Sequence, residues 1–245
     1  MLSIHGCVAL VTGSNRGLGR AFCEGLLQRG AKKVYAAARD PSKVSSAGVI
    51  PLKLDVSVFT DVGCVARDCQ DVTLLINNAG VLRNSPMLGP NSQAAAHEEM
   101  ATNFFGPLAL VQALMPVLAR NGGGAIANVL SVASWFANPF MATYCASKAA
   151  EEVLTDAIRI QLRSQATQVV GVYAGYIDTD MAAGANRPKV DPRAVVDRTL
   201  AGIESGSDRV FADDRSEYID RQIRTDPEAF YADLQRLWDA RQTTD

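Results

Sequence analysis

The stretch Thr12-Gly13-Ser14-Asn15-Arg16-Gly17-Leu18-Gly19 decides the fold. The apolar run before it, residues 7–12, has the length and composition of a buried strand. Residues 17–29 after it carry apolar side chains at helical spacing. Glycines allow the tight turn and let phosphate oxygens approach backbone N–H groups, and the following helix N-terminus favours a pyrophosphate. A glycine turn alone could be a bare βα connection; flanked by this strand and this helix, it is a candidate dinucleotide site. The spacing is GxxxGxG and no Lys-Ser or Lys-Thr pair closes it, which argues against a nucleotide-hydrolysing P-loop.

Working outward, apolar runs recur at residues 33–38, 49–54, 72–77, 125–131 and 168–174, with a short last one at 209–212. They are rich in Val, Ile, Leu and Ala and do not alternate strictly, as suits a parallel sheet covered on both faces. Helical patterns separate them at 60–69, 94–120, 143–164 and 192–204. Asp191 is a candidate N-cap of the last, with Pro192 at its first position. In residues 143–164 the apolar stripe reads Ala146, Ala149, Ala150, Val153, Leu154, Ala157, Ile158 and Leu162. Gly122, Gly123 and Gly124 read as a helix-to-strand turn, and 175–190 reads as a loop. The charged tail after Asp213, dotted with Tyr218, Phe230, Tyr231, Leu234 and Trp238, reads as one or two amphipathic helices. Alternating strands and helices predict an α/β, doubly wound Rossmann fold with a parallel sheet of about seven strands.

The composition is consistent with one domain over residues 1–245. Of 245 residues, 48% are hydrophobic and 20% charged, which excludes a disordered chain. With 24 basic and 26 acidic residues, nothing draws the whole chain to nucleic acid or an anionic membrane. No run reaches the roughly 18 consecutive apolar residues of a membrane span, and the N-terminus lacks a basic leader. Five cysteines without a CxxC pair suggest reduced thiols in a cytoplasmic protein. The two histidines, His5 and His97, are too few for a zinc site or a His-based dyad, so no metal is expected. Ser131 lacks both a GxSxG elbow and a later histidine, which removes hydrolase chemistry.

Further landmarks fall in a fixed order. Asp55-Val56 follows the third strand, and Asn77-Asn78-Ala79-Gly80 ends the fourth. Asn103 lies in the long middle helix. Ser131 precedes Tyr144 by thirteen positions, and Tyr144-Cys145-Ala146-Ser147-Lys148 carries YxxxK. With the glycine turn, this set resembles the short-chain dehydrogenase/reductase family over residues 7–181. Two positions depart from its common pattern: Ala174-Gly175 stands for Pro-Gly, and Leu130 for a serine. Neither removes a reacting group.

Taken singly, each landmark has a bland alternative, such as a solvated Tyr–Lys edge or a strand-end hydroxyl. Together they imply hydride transfer between a nicotinamide and a carbonyl or secondary alcohol. Four residues apart on a helix, Tyr144 and Lys148 share a face, and a nearby ammonium lowers a phenol's pKa. The resemblance implies Tyr144 as general acid/base and Lys148 as holder of the nicotinamide ribose. It further implies Ser131 as a donor to the substrate oxygen and Asn103 as anchor of a relay water. It assigns cofactor contacts to Gly13, Ser14, Asn15, Arg16, Gly17, Leu18 and Gly19. Arg39, Asp55, Val56, Asn77, Ala79 and Gly80 follow, and then Tyr144, Lys148, Gly175, Ile177 and Thr179.

At the end of the second strand the family's usual acid is replaced by Ala38, followed by Arg39, and Arg16 stands in the glycine turn. Two guanidiniums suit the 2′-phosphate of NADP(H), which is the expected cofactor. Asp40 is the counter-candidate for the NAD(H) 2′-hydroxyl. Ser131, Trp135, Met141, Tyr144, Tyr176 and Met181 are the expected substrate contacts, with Leu82 and Phe136 as further lining, and they imply a small hydrophobic substrate. A 3-oxoacyl or hydroxysteroid oxidoreductase is the second enzyme reading, and a catalytically silent dinucleotide sensor the rival outside enzymes. By resemblance, the long helices pair subunits in a homodimer or homotetramer. Residues 182–245 are expected to supply a substrate loop and a helical C-terminal region, which closes the cavity or leaves it open.

Overall fold

The structure is a computed structural model and describes residues 1–242. Its strands are β1 (Val8–Thr12), β2 (Lys33–Ala38), β3 (Ile50–Lys53), β4 (Leu74–Asn77), β5 (Gly124–Val129), β6 (Thr167–Tyr173) and β7 (Arg209–Phe211). All pairings are parallel, in the order β3-β2-β1-β4-β5-β6-β7. The expected doubly wound sheet is therefore present, and its strand order reverses between β1 and β4. A cleft at the carboxyl ends of the strands follows from that reversal.

The helices are α1 (Gly17–Gln28), α2 (Phe59–Asp68), α3 (Ser92–Met100), α4 (Gly106–Arg120), α5 (Ala142–Gln161) and α6 (Pro192–Ser205), then α7 (Asp214–Thr225) and α8 (Pro227–Gln242). Alternate residues of β1 explain the two cores. Ala9 and Val11 meet Phe22 and Leu26 of α1 and Val196 and Leu200 of α6 on one face. Val8 and Leu10 meet Val62 of α2, Leu110 and Leu114 of α4, and Ile158 of α5 on the other.

Three local readings are sharpened. The expected helix over 94–120 is two helices, α3 and α4, joined by a π-helical turn at Ala101–Phe105. Ser92–Arg120 as a whole is long and apolar enough in composition to cross a membrane, yet here Leu110, Leu114 and Leu118 are buried against the sheet. The apolar stripe expected on α5 is only partly its inner face. Ala146 and Val153 are exposed, whereas Tyr144, Ser147, Lys148, Glu151 and Thr155 are buried. A polar inner face persists only when its members bond one another. Here Lys148 pairs with Glu151, Thr155 Oγ1 donates to the Glu151 carbonyl at 2.7 Å, and Asn128 Nδ2 donates to Thr155 Oγ1 at 2.8 Å.

Asp191 caps α6 as expected, its Oδ1 accepting from Arg193 N at 2.8 Å. The charged tail forms α7 and α8. Asp213 caps α7 through Ser216 N at 2.6 Å, and its other oxygen accepts from Gly175 N at 2.7 Å. One carboxylate thus ties the tail to the loop after β6. The five cysteines are unpaired, and four are buried. Burial pushes Cys7 and Cys23 up to about 11 and Cys69 up to about 12, which keeps them as thiols.

Candidate active site

A cavity of about 1230 Å³ opens along the carboxyl ends of the strands. Its floor begins at the glycine turn. Gly13 has φ +68°, and a Cβ there would meet the Ala79 backbone at 3.1 Å. A Cβ on Gly19 would lie 2.2 Å from the Gly13 carbonyl oxygen, so nothing larger than glycine fits. Arg16, at the N-cap of α1, is fully extended, and among the described residues no side chain bonds the first N–H groups of that helix. Gly17, Leu18 and Gly19, whose N–H groups these are, line the cleft where a pyrophosphate needs donors. Gly13, Asn15, Arg16, Gly17, Leu18 and Gly19 all line the cavity, and the residues fit a dinucleotide.

Beyond the turn, Arg39, Asp55, Val56, Ala79 and Gly80 line one end, and Gly175, Ile177 and Thr179 a second wall, as expected. Two expected cofactor contacts turn elsewhere. Ser14 is buried beneath the turn, its Oγ donating to the Val11 carbonyl at 2.6 Å and its N–H to Ala37. Asn77 is buried, its Nδ2 donating to Asn128 Oδ1 at 2.8 Å. The neighbouring Asn78 lines the cavity instead, and its Nδ2 donates to the Thr12 carbonyl at 2.8 Å. Strand alternation gives the reason, since adjacent residues at a strand end face opposite ways. Arg16 lines the cavity but is ion-paired with Asp180 at 2.6 Å, which pins it to the loop after β6. Arg39 has no hydrogen bond or ion pair among the described residues. Asp40 is engaged next door: its Oδ1 accepts from Ser42 N at 3.1 Å and from Ser42 Oγ at 2.6 Å.

At the other end Ser131, Tyr144 and Lys148 meet. Ser131 follows β5, and its Oγ accepts from Ala133 N at 3.1 Å and approaches the Ala174 carbonyl at 3.5 Å. Lys148 Nζ donates to the Val129 carbonyl at 2.8 Å and to Glu151 Oε2 at 2.6 Å, and it lies 6.0 Å from the centre of the Tyr144 ring. Asn103 is buried in the π-helical turn. Its Oδ1 accepts from Val81 N and its Nδ2 donates to the Val81 carbonyl and to Ser147 Oγ, each at 2.9 Å. From the π-helical turn it holds the loop after β4 against α5, and its side chain is absent from the cavity wall.

The expected lowering of the Tyr144 pKa is outweighed. Burial pushes the phenol up and Lys148 pulls it down, while Glu151 pushes it up again and the Ser131 hydrogen bond lowers it. The net direction is upward. Burial pulls the Lys148 ammonium down, yet Glu151 and Tyr144 hold it above its ordinary value. Burial pushes the Glu151 carboxyl up to about 7 against the pull of Lys148. Sequence reading missed Glu151. Its signal was there: positions 144, 148 and 151 repeat at i, i+4 and i+7 on one helical face.

Of the expected substrate contacts, Met141, Tyr176 and Met181 line the cavity, with Leu82 and Phe136. Trp135 does not. Its ring stacks on Tyr173 at 4.6 Å between centroids, and its Nε1 donates to Glu152 at 3.0 Å. The indole N–H has its partner inside the fold, so the ring is structural. The tail supplies the missing wall. Phe230 packs edge-on to Phe136 at 5.0 Å, Trp238 meets Phe140 at 5.4 Å, and Phe230, Leu234 and Leu237 face the cavity.

The short chain dehydrogenase family model matches residues 7–189. Gluconate 5-dehydrogenase of Gluconobacter oxydans is 33% identical over 193 residues, covering 74% of this chain and 75% of that protein. A short chain dehydrogenase from Burkholderia cenocepacia, solved in complex with NADP, is 41% identical with a TM-score of 0.91, covering 95% of this chain and 99% of the other. A short chain dehydrogenase/reductase from Burkholderia phymatum, in complex with NAD, is 25% identical with a TM-score of 0.82, covering 94% and 96%.

Proposed function

The chain belongs to the short chain dehydrogenase family of oxidoreductases, and from that premise we propose that it is an NADP(H)-dependent carbonyl reductase. It reverses as a secondary-alcohol dehydrogenase on a small, largely hydrophobic substrate. The reading is carried by one arrangement: Ser131, Tyr144 and Lys148 stand in the wall of a cavity whose other end is the glycine turn. Bound nicotinamide supplies or accepts the hydride. Tyr144 donates its proton to the developing alkoxide, and its upward-shifted pKa keeps that proton in place at neutral pH. The Ser131 hydroxyl orients the substrate oxygen beside it. Lys148, charged and held by Val129 and Glu151, steadies the phenolate left behind. Oxidation runs the same proton path backwards. Turnover of a ketone and aldehyde panel, followed by NADPH absorbance, tests the reading; no turnover of any member with Tyr144 and Lys148 intact speaks for the silent sensor.

Two observations support NADP(H) over NAD(H). Arg39 lines the cavity without a hydrogen bond or ion pair among the described residues, and the rival carboxylate, Asp40, caps the turn Pro41–Lys43. A charge-assisted hydrogen bond is worth about 1.5–3 kcal/mol. Arg39→Ala is therefore expected to weaken NADPH binding roughly 10- to 150-fold and leave NADH binding almost unchanged, by fluorescence titration. Equal loss for both dinucleotides overturns the choice.

Glu151 offers a pH test. Its charge is one of the causes raising the Tyr144 pKa, alongside burial and Cys145, against Lys148 and Ser131. Reduction needs the protonated phenol. Glu151→Gln removes an upward push, so the alkaline limb of kcat/KM for reduction moves to lower pH. A limb that stays put or moves up contradicts this. A homodimer or homotetramer belongs to the same proposal, supported by the exposed Val153 and Ile160 on α5 and Met115 on α4.

A further inference from the structure

Arg215 lies on the first turn of α7 and lines the cavity beside Gly175 and Tyr176. It makes no hydrogen bond or ion pair among the described residues, and its Nε is buried without a partner. The other arginines lacking such partners, Arg39, Arg163, Arg187, Arg193, Arg221 and Arg241, are all exposed. The guanidinium carbon sits 5.2 Å from the centre of the Tyr176 ring. Stacking satisfies the flat face of a guanidinium and leaves its N–H edge unbonded. The stem is fixed too. A Cβ on Gly175 would lie 2.7 Å from Arg215 Cδ, so glycine makes the room. Asp213, two residues earlier, locks α7 to Gly175 N at 2.7 Å.

The carboxylates lining the same cavity are engaged elsewhere: Asp40 by Ser42, Asp55 by Ser57, Glu98 by Arg83, Asp180 by Arg16 and Asp233 by Arg236. The Arg215 stem packs on Gly175, the residue after Ala174, whose carbonyl Ser131 approaches, and its guanidinium lies over the Tyr176 ring. To the same cavity α8 contributes Phe230, Leu234 and Leu237, together with Asp233, paired with Arg236, and Arg241, whose guanidinium lies over the Phe140 ring. A guanidinium with its edge unbonded beside apolar side chains matches a carboxylate carried on an apolar body, and a fork of N–H donors matches its two oxygens.

We infer that Arg215 binds a carboxylate of the substrate, making the substrate an oxo acid (or its hydroxy-acid product) with an apolar chain. This rests on the reductase reading for the oxo group alone; the carboxylate site stands on Arg215. The test is therefore a binding measurement that needs no turnover. Hexanoate and hexanamide are titrated calorimetrically into the enzyme loaded with NADP⁺, in wild type, Arg215→Met and Arg215→Lys. Hexanoate is expected to bind at least tenfold more tightly than hexanamide to wild type. That preference should vanish in Arg215→Met and partly return in Arg215→Lys, with NADPH affinity held within about twofold. Equal binding of acid and amide by wild type, or an acid preference that survives in Arg215→Met, overturns the inference. Loss of NADPH affinity in the same variant also overturns it, by moving Arg215 to the cofactor. Failure of the ketone panel with the acid preference intact would instead count against the reductase reading.

Discussion

Tyr144→Phe is expected to lower kcat for carbonyl reduction by about 10²–10⁴-fold, the usual contribution of a positioned general acid. At 1.36 kcal/mol per tenfold, that is roughly 2.7–5.4 kcal/mol of transition-state stabilisation. The loss should fall on kcat and leave NADPH affinity within a few-fold, because the ring and its packing against Leu82 and Met141 remain. Only the oxygen that carries the proton is removed. Stopped-flow measurement of NADPH oxidation under single-turnover conditions isolates that step. A variant that turns over at the wild-type rate would remove Tyr144 from the mechanism.

The second large effect is on stability. Lys148 and Glu151 form an ion pair whose side chains are 6% and 2% exposed. Removing one partner of such a pair typically costs about 3–5 kcal/mol, because the other charge is left buried and alone. Lys148→Met should therefore lower Tm by roughly 6–20 °C in a chain of this size. The deficit should depend on pH. In the variant, the folded-state pKa of Glu151 rises further above its ordinary value of 4.5, beyond the value of about 7 it has with Lys148 present. A group whose folded pKa is raised keeps its contribution below the unfolded pKa and loses it as pH rises through the folded one. The deficit against wild type is therefore small near pH 5 and large near pH 8. Adding Glu151→Gln removes the stranded charge and should recover much of the loss at pH 8. Equal deficits at both pH values, or a double variant no better than the single one, would show that the pair is not coupled as described.

The parts of this protein legible in the sequence are those written in local spacing. The glycine turn is followed at once by its helix, and the interval between Tyr144 and Lys148 is one helical turn; both survive translation into three dimensions. At β4 the sequence pointed to Asn77, but strand alternation turns Asn77 inward and brings Asn78 to the cavity. Elsewhere the deciding contacts join distant segments. Trp135 looked like a pocket residue because it stands between Ser131 and Tyr144. Tyr173 and Glu152, remote in sequence, hold it in the fold. The inner face of α5 looked apolar on periodicity, but Asn128 on β5 and Glu151 on the helix itself make a polar interior tenable. Arg215 gave no signal, since its surroundings at Gly175 and Tyr176 lie forty residues away along the chain.

The ring contacts of Phe230 with Phe136 and of Trp238 with Phe140 divide the molecule by evolvability. On the proposed mechanism, proton transfer rests on buried, mutually bonded side chains in which one substitution disturbs several partners. The far wall is set by a partly exposed terminal helix touching the rest through rings, where a change of size costs little in folding. Substrate range can therefore drift through α8 while the chemistry stays where the sheet put it.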